Sequence, residues 1–215
     1  MKILVVVSSK SPNDILFNCI DTIYNEQINK DVNNVYQICV IDSDSDNFNI
    51  YEKIQNYFPN VNIHYVKNKN YEYGAWKYAH EIYNDYDIYF CIHDSVTIKH
   101  TIDLNIINNN NVYTCHNFSG YYSDISIKEK GIINLMDSGL NYTDIINTHF
   151  NLTWGNLFIV NNHVMVDIFR TLKNPPIDKE GSRFYERNFG LYFIIKNINT
   201  IDFSNNIKKI HGNRE

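Results

Sequence analysis

Met1-Lys2-Ile3-Leu4-Val5-Val6-Val7-Ser8-Ser9-Lys10 opens the chain, and its uninterrupted apolar run, residues 3–7, decides the fold. A run without alternation, bounded by polar residues, suits a strand buried on both faces, as in a parallel sheet with helices on either side. It is too short for a secretory leader and has no small-residue cleavage site before Ser11-Pro12. The expected location is therefore the cytosol or a cytosolic membrane face.

The pattern repeats outward from that strand. Pro12-Asn13-Asp14 opens a helix whose apolar face is Ile15, Leu16, Cys19, Ile20 and Ile23. A second strand is expected over 36–41, stopped by Asp42-Ser43-Asp44-Ser45-Asp46, then a helix over 51–57 ended by Pro59. A third strand spans 61–66. Gly74 is read as the start of a third helix, with Ala75, Tyr78, Ala79 and Ile82 as its apolar stripe. A fourth strand covers 87–92 and ends on His93-Asp94-Ser95. Strands separated by helices of this length imply βαβ units, a mainly parallel sheet and right-handed crossovers. The second half is less regular: strands at 112–115, 157–160 and 200–203, and helices at 129–136, 162–172 and 183–196. No linker divides the chain, so a single domain spans 1–215.

Composition removes several function classes. The net charge of −5 without a Lys/Arg cluster argues against a nucleic-acid partner. No apolar run approaches the roughly 18 residues of a membrane span. Cys19, Cys39, Cys91 and Cys115 are widely spaced and form no CxxC pair, so buried free thiols are expected rather than zinc or redox chemistry. Asn108-Asn109-Asn110-Asn111 reads as a loop. Dinucleotide, P-loop, GxSxG and HExxH signatures are absent from the sequence.

Ligands of parallel α/β sheets bind beyond the carboxyl ends of the strands. Three polar clusters fall there: Ser8-Ser9-Lys10, Asp42 to Asp46, and His93-Asp94-Ser95. Asp42 and Asp44 could accept hydrogen bonds from ribose hydroxyls or a base; the alternative is a solvated acidic loop. Ser8 and Ser9 could offer hydroxyl and backbone N–H groups to a nucleotide, or form a bland turn. Gly74 at a helix start could admit a base or phosphate, with Lys77 neutralising the charge. The alternative is a packing glycine and a solvated lysine. Trp154-Gly155 could form a platform for an acceptor sugar, or Trp154 could pack in the core.

Asn68-Lys69-Asn70-Tyr71-Glu72-Tyr73-Gly74-Ala75-Trp76, followed after a strand by His93-Asp94-Ser95, resembles glycosyltransferases of the GT-A type. It is nearest to the rhamnan-synthesis branch, which runs N-x-G-x-D-x-G-A-W and then N-D-S. Asn70, Glu72 and His93 stand where that pattern has Gly, Asp and Asn. The resemblance implies a Rossmann-like α/β/α sandwich, with 1–100 as the nucleotide-sugar half and 101–215 as the acceptor half. It implies a nucleoside-diphosphate sugar donor, UDP first and dTDP second, and a glycan or other hydroxyl acceptor. Asp94 would be the last carboxylate of the metal motif, holding Mn²⁺ or Mg²⁺ with His211 as a second ligand, and His93 beside it would bind the nucleotide sugar. Glu186, paired with Arg187 at a late helix, would be the base of an inverting transfer, with Asp178 or Glu180 next in line. Two rivals are a sugar nucleotidyltransferase and a degenerate GT-A domain kept for binding. The first normally carries a Gly-rich basic loop after its first strand, which Ser8-Ser9-Lys10-Ser11-Pro12 does not resemble.

Overall fold

A computed structural model describes residues 1–116, 135–137 and 150–210 of the chain. Strand β1 (Lys2–Ser9) is followed by α1 (Asp14–Thr22) and a π-helical turn, Ile23–Ile28. Next come β2 (Val35–Ser43), α2 (Asn49–Tyr57), β3 (Asn62–Val66), α3 (Tyr71–Ile82) and β4 (Ile88–His93). The second half supplies β5 (Val96–Ile98), β6 (Asn111–Thr114), β7 (Phe158–Asn161), α4 (Asn162–Thr171), α5 (Lys179–Ile195), β8 (Asn199–Asp202) and β9 (Ile207–Lys209). The helix expected over 129–136 lies outside the described residues except for Leu135 and Met136, which are helical.

Seven strands form one sheet in the order β3-β2-β1-β4-β7-β6-β8. Within it β7 runs antiparallel to both β4 and β6, and the other pairings are parallel. The unbroken run in β1 now has its explanation. Leu4 and Val6 face α3, α4 and α5, whereas Ile3, Val5 and Val7 face α1 and α2. Both sheet faces are covered, so each position of the run at 3–7 is buried and apolar. The result is the α/β/α sandwich expected from the sequence. All four cysteines are buried free thiols. Among the described residues no helix is long and apolar enough to cross a membrane.

Two details depart from expectation. Helix α3 begins at Tyr71, three residues before Gly74, because Asn68 organises its entry: Nδ2 donates to the Tyr71 carbonyl at 2.7 Å, and Oδ1 accepts from Asn70 N–H at 2.9 Å. Its buried face is Tyr73, Ala75, Trp76 and Ala79, and Ile82 is 46% exposed. The second is a two-stranded sheet, β5 with β9, whose three-residue strands are too short to show a period.

Candidate active site at the carboxyl edge of the sheet

Register brings the polar strand ends together. Ser8 of β1 lies opposite His93 of β4, and Ser9 lies opposite Asp42 of β2. Beyond them opens a cavity of about 640 Å³, the size range of small-molecule sites. Ser8, Asp44, His93, Asp94, Gly155 and Glu186, all sequence-predicted, line it together. Residues from both halves of the chain thus meet at one edge.

Asp94 stands just past β4 and is 5% exposed. Its Oδ2 accepts from the Ser9 hydroxyl at 2.9 Å, and its backbone N–H donates to the Ser8 carbonyl at 2.9 Å. Ser9 therefore acts on the carboxylate rather than on the cavity. Glu186, on the second turn of α5, reaches the cavity from the opposite wall. Its Oε1 accepts from the Gly155 N–H at 2.9 Å, and Oε2 lies 4.0 Å from Arg187 Nη1. Burial pushes the Glu186 carboxyl above its usual range, against the pull of the Gly155 N–H, Arg187 and Lys209. A carboxylate raised in this way is a stronger proton acceptor.

The floor holds residues that the sequence reading left out of the site. Glu72 Oε2 accepts from Ser182 Oγ at 2.8 Å and from Asn156 Nδ2 at 3.3 Å, while Oε1 stands 3.5 Å from His93 Nε2. Burial raises the Glu72 carboxyl, but the neighbouring His93 charge and these donors outweigh it and leave it lowered. Trp76, fully buried, stacks under His93 with centroids 6.4 Å apart and donates Nε1–H to the Asn156 carbonyl at 3.2 Å. Gly155 and Asn156 both take left-handed φ, 63° and 56°. Strain of that kind in a buried asparagine persists only where the surroundings over-determine it. Here three hydrogen bonds and the Trp76 indole do so. Glu72 stood inside the quoted motif, but nothing in its spacing told that the carboxylate turns toward α5.

No family model matches the sequence, and no curated protein does. Among solved structures 106 chains match. One is S. aureus TarS, at a TM-score of 0.50 and 14% identity, over 94% of this chain. The fold is GT-A-like. This chain spans 35% of the length of that structure.

Within the GT-A sheet, other predicted residues stand apart from the cavity. Gly74 and Lys77 line a separate surface pocket of about 280 Å³ with Asn68, Tyr73 and Glu81. A Cβ at Gly74 would fall 2.0 Å from Asn68 Oδ1, so the glycine makes room for the side chain that starts α3. Lys77 is exposed and lies 3.9 Å from Glu81, one turn on. Trp154 is half-buried against the α1 and α2 side of the core, with Lys209 Nζ 4.5 Å from its ring centroid. Arg187 is buried and donates Nη1–H to the Arg183 carbonyl at 2.5 Å. His211 lies outside the described residues.

Asp42 is 1% exposed and faces inward. It accepts from the Ser45 N–H at 3.0 Å, from the Ser45 hydroxyl, and from the Tyr51 hydroxyl. Its lone pairs are committed to shaping the loop that presents Ser43 and Asp44 to the cavity. Asp42→Ala is therefore expected to strand the buried Tyr51 and Ser45 donors and cost about 1–3 kcal/mol. In a chain of this size that lowers the midpoint by roughly 2–4 °C for each kcal/mol. Thermal unfolding without ligand measures it; an unchanged midpoint would mean that the carboxylate does not hold the loop.

Proposed function

We propose that the chain transfers a sugar from a nucleoside-diphosphate sugar, UDP first and dTDP second, to a hydroxyl acceptor with inversion. The observation that carries this reading is the presence of Glu186 and Asp94 on one cavity at the carboxyl edge of the sheet. The similarity to S. aureus TarS, a glycosyltransferase, supports the class of reaction. The rhamnan-synthesis likeness rests on the sequence motif alone. Four buried thiols suit the reducing cytosol, or a cytosolic membrane face, where we place the activity.

Under this mechanism the acceptor hydroxyl gives its proton to Glu186 as its oxygen forms a bond to the anomeric carbon. On the opposite face the bond from that carbon to the phosphate oxygen breaks, and the nucleoside diphosphate leaves with the electron pair. Gly155 N–H fixes the Glu186 carboxylate, so its free oxygen keeps one direction. His93, held between Glu72 and Trp76, forms the floor under the donor.

Among the described residues no group of three or more His, Cys, Asp or Glu side chains is arranged to hold a metal ion. Asp94 is the described residue that would hold a Mn²⁺ or Mg²⁺, which takes further ligands from phosphates and water as such ions do. That ion would supply charge neutralisation at the diphosphate. Asp94→Asn should keep the fold, since the amide oxygen can still accept from Ser9, while abolishing any Mn²⁺-dependent gain in UDP affinity. Calorimetric titration of UDP with Mn²⁺ and with EDTA reads the difference. An undiminished gain would leave Asp94 as a cap of the β4 turn.

The single carboxylate of the His93-Asp94-Ser95 motif favours a second reading, a GT-A domain that binds sugar nucleotides without catalysis. Donor hydrolysis in the presence of Mn²⁺ separates the two. Stabilisation by NAD equal to that by UDP, GDP or dTDP would overturn both.

A further inference from the structure

Lys209 is the residue on which we infer a role beyond this reading. We propose that its ammonium binds the diphosphate of the donor and neutralises the charge released as the sugar departs. The inference rests on the sugar-nucleotide reading but specifies which of the chain's own cations does this work. The cavity is lined by five basic side chains, Lys10, Lys69, Lys179, Arg183 and Lys209, in a chain whose net charge is −5. Lys10, Lys69, Lys179 and Arg183 are exposed, whereas Lys209 is partly buried.

Three features place Lys209 at the reacting centre. Strand β9 pairs Lys209 with Val96 of β5, two residues after Asp94, which fixes its backbone beside the end of β4. The ammonium stands 4.5 Å from the Trp154 ring centroid, a cation–π contact that restricts a long flexible side chain. Gly155, at φ 63°, leaves the space above open: a Cβ there would lie 3.1 Å from Lys209 Nζ and 3.3 Å from His93 Cε1. The same glycine's N–H holds Glu186. Lys209 and Glu186 thus flank one backbone turn, the cation on the side proposed for the leaving group and the carboxylate on the side proposed for the acceptor. A lysine is suited to this, because its ammonium is a compact charge with three donors. Lys209 also lowers the Glu186 carboxyl, so the two residues are electrostatically linked.

The test uses the full chain and three probes: inorganic pyrophosphate, UDP and uridine. Each is titrated calorimetrically against the parent, Lys209→Met, Lys209→Gln and Lys209→Arg, in EDTA and in Mn²⁺. Losing a charged hydrogen-bond partner should weaken pyrophosphate and UDP by roughly tenfold to a hundredfold. Uridine binding should not change, Lys209→Arg should recover most of the loss, and the effect should persist in EDTA. Thermal midpoints of the free variants identify any loss of fold. If both neutral variants bind pyrophosphate and UDP as tightly as the parent, the inference fails while the donor reading stands. Should the parent bind pyrophosphate but no nucleoside diphosphate, the donor reading fails and the phosphate site remains. A parent that binds neither overturns both.

Discussion

Glu186→Gln is expected to lower sugar transfer by about 10²–10⁴-fold, the usual cost of removing a general base, with UDP affinity nearly unchanged. The amide keeps the shape and can still accept the Gly155 N–H that the carboxylate receives at 2.9 Å. It cannot take a proton from the acceptor. Because burial raises the Glu186 carboxyl, the parent's rate should fall as pH drops through a value above the usual carboxylate range. The ionised base is the active form, so the limb lies on the acid side, and it should vanish in Glu186→Gln. Direct displacement also requires the product anomer to be inverted. The measurement is kcat and KM across pH, with the anomeric configuration read by proton NMR. A rate close to the parent's, or retention of configuration, would remove Glu186 from the base role, leaving Asp178 and Glu180 to be tried. Both of those are exposed at the start of α5, outside the Gly155 contact, and Asp178 is already committed as the helix N-cap, accepting from Gly181 N–H at 2.7 Å.

Trp76→Ala is expected to cost about 3–5 kcal/mol, the range for a large aromatic side chain removed from a core. The side chain is fully buried and meets Phe158 edge-on at 6.4 Å between centroids. Substitution leaves a cavity between α3 and the sheet, and it strands the Asn156 carbonyl that the indole N–H reaches at 3.2 Å. It also removes the surface on which His93 rests. Stability and site should therefore fail together. Trp76→Phe should lose less stability but still loosen Asn156, because it restores part of the volume without the donor. Chemical denaturation gives the stability change; UDP affinity measured below the transition gives the effect on the site. A change under 1 kcal/mol for Trp76→Ala would show that α3 does not depend on this contact.

Much of the architecture was legible because it is set by local periodicity. The run at 3–7 reads as a strand covered on both faces, and the polar residues ending β1, β2 and β4 fall at one edge of the sheet, where the cavity opens. Glu186, His93 and Asp94 were singled out by residue type and motif position, and all three line the cavity at that edge. What the sequence did not carry were the contacts joining distant segments. Strands β5 and β9 have three residues each, too few for a period to register, and they pair residues about one hundred positions apart. Lys209 accordingly carries no signal of its own in the sequence.

Side-chain direction was the other information missing. Asp42 has the type and place of a nucleotide ligand, yet Ser45 and Tyr51 turn its carboxylate into the fold. Gly74 has the look of a phosphate-admitting glycine, yet it yields space to Asn68. A carboxylate or a glycine carries the same letter whether it faces a ligand or a neighbour. Sequence alone determined where the first strands lie, that the sheet is covered on both faces, and which polar clusters end its strands. Tertiary packing decided which polar groups at that edge remain turned toward the cavity and which are consumed in building it, because only packing sets where a side chain points.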